Sequence, residues 1–415
     1  MRTFKYILLI LLAILGWTAF VNVGTYSGFL LSPITSGKSA SSFIEASQSK
    51  LDDEFVGNLA LVLLEDGEVS QDFYYAIDET IDKNTLFQMA SISKWVTSWG
   101  VLALAQAGKI DIDAPVENYL TRWHLPESEF DHREVTIRNL LCHTSGLTDG
   151  LGYGGFSAED SVQTIEESLT QAADGYWSSG KAKVGYQPNS QYRYSGGGYT
   201  LLQLVVEEVS GQSFNDYMTK AVFEPLNMNR SSFYGSDTSS LYLAKFYDSD
   251  SSIAPHYRYT ALAAASWYTC TEDLTLFLQA HFVENPVLDQ ETILMMSEVH
   301  TPPGQGMHGL GPMIFGKNGD GDYLIGHDGL SRAAINNAAR INLKTRDGII
   351  VLETGSPSFA SELANEWGFW KTNIPNSTVM SSNFNKLFGY LVLGYVIILT
   401  VSMYIIRRKR KLERV

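Results

Sequence analysis

Two long apolar runs, one near each end of the chain, constrain its folding more than any other feature. The first extends from Tyr6 to about Val23 through ILLILLAILGW, and the second from Leu387 to about Ile406 through LVLGYVIILTVSMYII. Each approaches the roughly 20 residues needed to cross the hydrocarbon of a bilayer. The cluster RRKRK directly follows the second run, and basic flanks stay on the cytoplasmic side. Both ends are therefore expected in the cytoplasm, with residues 24–386 outside. The first run also has the charged start of a secretory leader. No clean small-x-small cleavage site follows it, so it reads as an uncleaved anchor, with a cleaved leader as the alternative. The expected organisation is an anchor over 1–23 and a linker over 24–44, richest in Ser, Gly and Pro at Ser32–Ser42. A globular body over 45–375, a second span over 387–406 and a basic tail over 407–415 complete the chain.

The net charge is −15 even though both ends are basic. The body between them is thus more acidic still and repels phosphate backbones, so nucleic acid is not expected as a partner. Only two cysteines occur, Cys142 and Cys270. They permit one disulfide outside the membrane but do not demand it, and two buried free thiols are the plainer expectation. The histidines form no HExxH and the cysteines no CxxC, so no metal is expected. Asn229-Arg-Ser and Asn376-Ser-Thr fit the glycosylation pattern, which matters only in a host that glycosylates.

Asn58–Ala76 reads as a hairpin about Asp66-Gly67. A helix is expected over Ser42–Phe55, and a long apolar one over Ser91–Ala107 is closed by Gly108. Leu120–Gly198 is loop-rich with short helices. Further helices are expected over Tyr199–Ser210, Phe214–Phe223, Glu272–Phe282 with Thr271 as N-cap, Leu288–Val299 and Ser358–Trp370. From Gly309 the texture changes to strands: GPMIFG, DYLIGHDG, AAINNAARINL and GIIVLETG. Strands near both ends with helices between predict an α/β (α+β) body. One sheet would be built from the two chain ends, with a helical lobe inserted.

Within that frame Ser91-Ile92-Ser93-Lys94 stands out. A serine hydroxyl needs a base to take its proton before it is a good nucleophile. A spacing of three on a helix puts Ser91 and Lys94 on one face. The helix start offers free N–H groups to a developing oxyanion. Together these are the logic of an S-x-x-K nucleophile. The same four-residue pattern recurs at Ser47–Lys50 and Ser178–Lys181, but neither leads into a long buried helix, so both read as incidental.

The neighbourhood of Ser91 runs FQMASISKW, VLALAQAGKIDIDAPVENYL, VTIRNLLCHTSGLTD, YQPNSQYRYSGGGYTLLQLVVEEVSGQSF and EPLNMNRSSF. In that order these blocks resemble the serine β-lactamase-related superfamily of class C β-lactamases, DD-peptidases, D-aminopeptidases and esterases. The resemblance covers roughly residues 45–370. It implies a β-lactamase/transpeptidase-like fold, an antiparallel sheet flanked by helices plus a helical lobe, with the site between them. The first motif, S-x-x-K, falls on Ser91 and Lys94. The second, Tyr-x-Asn, falls on Tyr194-Ser195-Gly196, so Tyr194 matches and Gly196 replaces the Asn. The third, Lys-Thr-Gly, falls on His327-Asp328-Gly329. The resemblance also implies an oxyanion hole from the backbone N–H groups of Ser91 and Leu330. Ser91, Lys94 and Tyr194 are thus the expected catalytic residues, and His327, Gly329 and Leu330 the expected substrate and oxyanion contacts.

The departures carry chemical meaning. Gly196 cannot hydrogen-bond a substrate amide as an Asn would. A histidine with an ordinary pKa of roughly 6.5 is largely neutral at pH 7, where a lysine is charged. Carboxylate recognition at His327 should weaken, moving the expectation from β-lactams towards esters and peptides. The same two departures favour the main alternative, a non-catalytic penicillin-binding-like receptor or scaffold. His143 reads as a structural turn residue, and Trp95, Trp99 and Trp177 as packing or lid residues. GYGGF and SGGGY lack the spacing of phosphate loops. The expected activity is cofactor-free acyl transfer to water from a small-molecule or peptide substrate, by an enzyme tied to a membrane. Two spans around a large polar body do not suggest a transporter.

Overall fold

The computed structural model describes residues 2–51, 55–149, 153–175, 180–234, 242–317, 323–332 and 334–412. Ser178 of the third S-x-x-K, Trp177, and the start of the GYGGF run lie outside the described residues. The chain divides into two compact units: Ser47–Ala364, and a second made of Met1–Ala46 with Asn365–Val415.

The larger unit is organised by a six-stranded sheet. Its strands are β1 (Asn58–Glu65), β2 (Glu68–Ala76), β3 (Met313–Lys317), β4 (Tyr323–Leu330), β5 (Ile335–Asn342) and β6 (Asp347–Thr354), ordered β2-β1-β6-β5-β4-β3. The pairings are antiparallel. As the strand texture implied, the two ends of the globular body meet in one sheet: β1 pairs with β6, Asn58 opposite Thr354. The β1–β2 turn is at Asp66-Gly67, both with positive φ (52° and 85°), as a primed two-residue hairpin turn requires. β1, β5 and β6 are buried on both faces, so elements cover both sides of the sheet. β2, at the edge, is largely exposed.

Between β2 and β3 the chain is mainly helical. Helix α1 (Ser93–Gln106) is buried along most of its length. Trp95 and Trp99 are fully buried and pack on Phe277 and His281, which settles them as packing residues. Helix α2 (Gly196–Ser210) ends at Gly211 with φ 68°. The short helix α3 (Leu262–Ala265) packs against both.

Three local expectations needed correction. Helix α2 begins at Gly196 rather than Tyr199. The Ser195 hydroxyl accepts from the Gly198 N–H (2.8 Å) and an Asp149 oxygen accepts from the Gly197 N–H (2.7 Å). That capping offsets the helix cost of three glycines. Thr271 does not cap its helix but opens it, and its hydroxyl donates to the Lys83 carbonyl at 3.3 Å. The helix expected over Ser42–Phe55 runs Ala40–Gln48.

The second unit holds an N-terminal helix, Arg2–Tyr26, and a C-terminal helix, Phe384–Leu412. Each has a stretch long and apolar enough to cross a bilayer, Phe4–Tyr26 and Phe384–Leu412.

Candidate active site

The candidate nucleophile sits on a strained, firmly tied turn. Ala90–Ile92 forms a 3-10 turn that feeds directly into α1. Ala90, one residue before Ser91, has φ 46°, a region that costs a non-glycine residue of order 1 kcal/mol or more. Ser93 holds the turn closed. Its hydroxyl donates to the Ala90 carbonyl (2.6 Å) and accepts from the Trp267 N–H (2.9 Å). The Met89 N–H donates to the Trp267 carbonyl at 2.7 Å.

β4 packs against this turn. At Gly329 the approach is close enough that a Cβ would overlap the Met89 carbonyl. The glycine of the His-Asp-Gly motif is therefore a steric requirement, and it brings the Gly329–Leu330 end of β4 against the segment carrying Ser91. Gly329→Ala is expected to destabilise the protein by about 2–4 kcal/mol, because backbone must move to admit the methyl. Chemical denaturation checks this; an unchanged midpoint would mean that β4 and the turn are not locked together.

Lys94 lies one helical turn beyond Ser91, as the spacing predicted. Its Nζ is 3.3 Å from Ser91 Oγ and donates to the Ala264 carbonyl of α3 at 2.8 Å. The side chain is buried. Desolvation pushes the ammonium down to about 7, against a smaller opposing pull from Asp149. Much of Lys94 is then a free amine near neutral pH.

Tyr194 joins the same cluster, with Lys94 Nζ 4.9 Å from its ring centroid. Burial pushes the phenol well above its ordinary value, while the Ser91 hydroxyl acts in the opposite sense. Tyr194 is therefore a neutral phenol at pH 7. Among the described residues its buried hydroxyl forms no well-aligned hydrogen bond, and the Ser91 hydroxyl is the polar group that acts on it.

His327 is fully buried, its ring 6.3 Å from that of Tyr194. Its Nδ1 donates to the Asp328 carbonyl at 2.6 Å. Burial, then the neighbouring His308 and Lys94, hold it far below its ordinary value. It is neutral at pH 7, as the sequence suggested, but through desolvation more than through its ordinary pKa. Leu330 exposes its side chain at the end of β4.

Several residues that shape this cluster carried no sequence signal. The Asp149 carboxylate accepts from Ser195 Oγ (2.5 Å) as well as from Gly197, tying the Tyr194-Ser195-Gly196 motif to the preceding loop. Burial raises its pKa to about 6. His143, expected to be structural, has φ 60° and accepts from the Ser195 N–H at 3.1 Å. Its ring lies 4.3 Å from that of Tyr194 and fixes where that phenol sits. His308 packs 4.8 Å from His143 and 6.2 Å from His327, its pKa pushed down to about 4 by burial. Arg340, fully buried, pairs with Asp328 at 2.6 Å and donates to the His327 carbonyl at 3.2 Å. At the substituted motif position, a Cβ on Gly196 would lie 2.8 Å from the Tyr153 ring. Tyr153, anchored to Thr200 at 3.0 Å, occupies the space an Asn would need.

Cys142 and Cys270 are separate, buried thiols. Among the described residues, no group of three or more His, Cys, Asp or Glu side chains is placed to hold a metal ion.

The six-stranded sheet joining both ends of the body, with its helical insertion, is a fold like that of penicillin-binding proteins. The chain belongs to the β-lactamase family, whose match spans residues 49–368. It is 31% identical to a penicillin-binding protein of Bacillus subtilis (strain 168) over 188 residues, covering 43% of this chain and 38% of that protein. It is 23% identical to the protein flp of Staphylococcus aureus (strain NCTC 8325 / PS 47) over 321 residues, or 75% of this chain and 62% of that one. The matched region is thus less than two thirds of the length of either relative. The octameric penicillin-binding protein homologue from Pyrococcus abyssi has the same fold, with a TM-score of 0.65 at 24% identity over 79% of this chain and 75% of that one.

Proposed function

We propose that the protein is a membrane-anchored serine hydrolase that works through an acyl-enzyme on an ester or amide outside the cytoplasm. One observation carries this reading: a buried Lys94 amine 3.3 Å from Ser91 Oγ, its pKa brought down to about 7. In the proposed cycle the free amine of Lys94 takes the Ser91 proton as Oγ attacks the substrate carbonyl. The N–H groups of Ser91 and Leu330 receive the oxyanion. The proton passes by way of Lys94 and the Tyr194 phenol to the leaving group, and water releases the acyl group from Ser91. Lys94 is the base rather than Tyr194, because the raised phenol pKa leaves almost no tyrosinate at pH 7.

The substrate class follows from polarity. Neutral His327 offers no charge to a substrate carboxylate, and Tyr153 fills the place of an amide-binding side chain at 196. Esters, which need neither contact, are therefore preferred over β-lactams, and D-amino-acid peptides are the amide substrates to be compared with them. The full-length protein in detergent is to be assayed with a chromogenic short-chain ester, D-amino-acid peptides and a chromogenic cephalosporin. Ester turnover at least about tenfold faster than cephalosporin turnover is expected, that being the loss of roughly 1.4 kcal/mol of carboxylate recognition. Faster cephalosporin turnover would reverse the substrate assignment. Tyr153 over Gly196 also suits the second reading, a receptor that is acylated once and does not turn over; stoichiometric labelling without product release would select it.

The two apolar terminal helices support the anchoring. The basic tail after Ile406 supports a reading with the C-terminus in the cytoplasm and the site outside.

A further inference from the structure

We infer that the N-terminal helix is a retained half of the anchor, locked against the C-terminal helix as one antiparallel pair with Trp17 seated in a notch at Gly394. The inference rests on the membrane reading above and goes beyond it.

The notch is specific. Gly394 is buried in a helix whose other apolar residues are mostly exposed. Any Cβ there would lie within the Trp17 indole. The indole does more than fill space: its Nε1 donates to the Tyr390 carbonyl at 3.0 Å. One residue on, the Thr18 and Tyr395 hydroxyls are 2.7 Å apart. An unsatisfied N–H or hydroxyl is costly in hydrocarbon; here the Trp17 N–H and the Tyr395 hydroxyl find partners across the two helices, while the Thr18 hydroxyl donates to the Ile14 carbonyl of its own helix at 2.9 Å and accepts from Tyr395. Small residues that admit a close neighbour and polar groups that bridge are what holds helices together where there is no water to exclude.

The contacts share one register. Lys409 Nζ lies over the Tyr6 ring, 5.6 Å from its centroid. Trp17 and Thr18 meet Tyr390, Gly394 and Tyr395. Ser32 exchanges hydrogen bonds with Asn383 (2.9 and 3.0 Å) and accepts from Lys386 Nζ at 2.6 Å. Numbers rise on one segment as they fall on the other, from one end of the helices to the other. A leader destined for removal has no need of such matching, and its excision would leave the Gly394 notch and the Tyr395 hydroxyl facing lipid.

The test uses the full chain in native membranes, with an epitope at the N-terminus and a protease site inserted after Ser36. Thr18→Cys and Tyr395→Cys are joined by a short bis-thiosulfonate reagent. After proteolysis, the two fragments should run as one species without reductant and separate with it. Gly394→Leu should cut that yield at least fivefold while ester turnover stays unchanged. A linked species of twice the chain mass would overturn the proposal in favour of pairing between copies. So would loss of the N-terminal epitope from mature protein, or absence of linkage in a chain that resists carbonate extraction. Release by carbonate would overturn the membrane reading itself, a result distinguishable from failure of the pair alone.

Discussion

Replacing Ser91 with Ala is expected to abolish labelling by a fluorophosphonate probe and to lower short-ester turnover by about 10³-fold or more. That magnitude is typical when the nucleophile of an acyl-enzyme mechanism is removed. The fold should survive, because Ser91 is not the residue that ties its turn. Ser93 makes those bonds, to the Ala90 carbonyl and the Trp267 N–H. An unchanged melting temperature with lost labelling is the expected pair of results. Full stoichiometric labelling of Ser91→Ala would remove Ser91 from the mechanism, and Ser47 or Ser178 would have to be reconsidered.

Lys94→Met is expected to cost a similar factor in turnover and to change two pH profiles. The first is catalytic. With its pKa near 7, Lys94 accepts a proton only above that pH, so kcat/KM in the parent protein should rise through about pH 7 and then level off. The second is thermodynamic. Unfolded, the lysine returns to its ordinary 10.5. Between about 7 and 10.5 the unfolded state therefore binds more protons than the folded one. The destabilising contribution of Lys94 is complete below about pH 7 and fades as pH rises towards 10.5. Stability should increase across that window by at most about 1.4 kcal/mol per pH unit from this residue. Lys94→Met lacks the titration, so its stability should rise less steeply with pH. Urea denaturation of both proteins at pH 7.5 and 9 measures the difference. Parallel behaviour would mean that the amine is charged in the folded protein and is not the base.

How much of this could be read from the chain depends on distance along it. Ser91 and Lys94 are three residues apart, in a 3-10 turn and the helix it runs into, and helical geometry alone brings them together. The sheet was legible because its strands keep their own hydrophobic texture at both ends of the body. Tyr194 came with an ordered set of blocks, not from any local pattern. Asp149, His308, Arg340 and Tyr153 gave no sign, because each acquires its role from a partner far away in sequence. Arg340 meets Asp328 across a strand pairing, and Tyr153 meets Gly196 across a loop. The Gly-rich start of α2 misled for a related reason. Glycine's poor helix propensity is local, whereas the Asp149 carboxylate that overcomes it arrives from 48 residues upstream, as its bond to Gly197 shows.

The joining of both ends of the body in one sheet also sets when the Ser91 turn acquires its packing partners. A growing polypeptide that has delivered Ser91 and Lys94 still lacks β4, so nothing presses on the Met89 carbonyl, and β1 has no β6 to pair with. The proposed nucleophile therefore lacks its packing partners until nearly the whole body has been synthesised. Assembly of the Ser91 turn against β4 is thus a late event in the folding of the body.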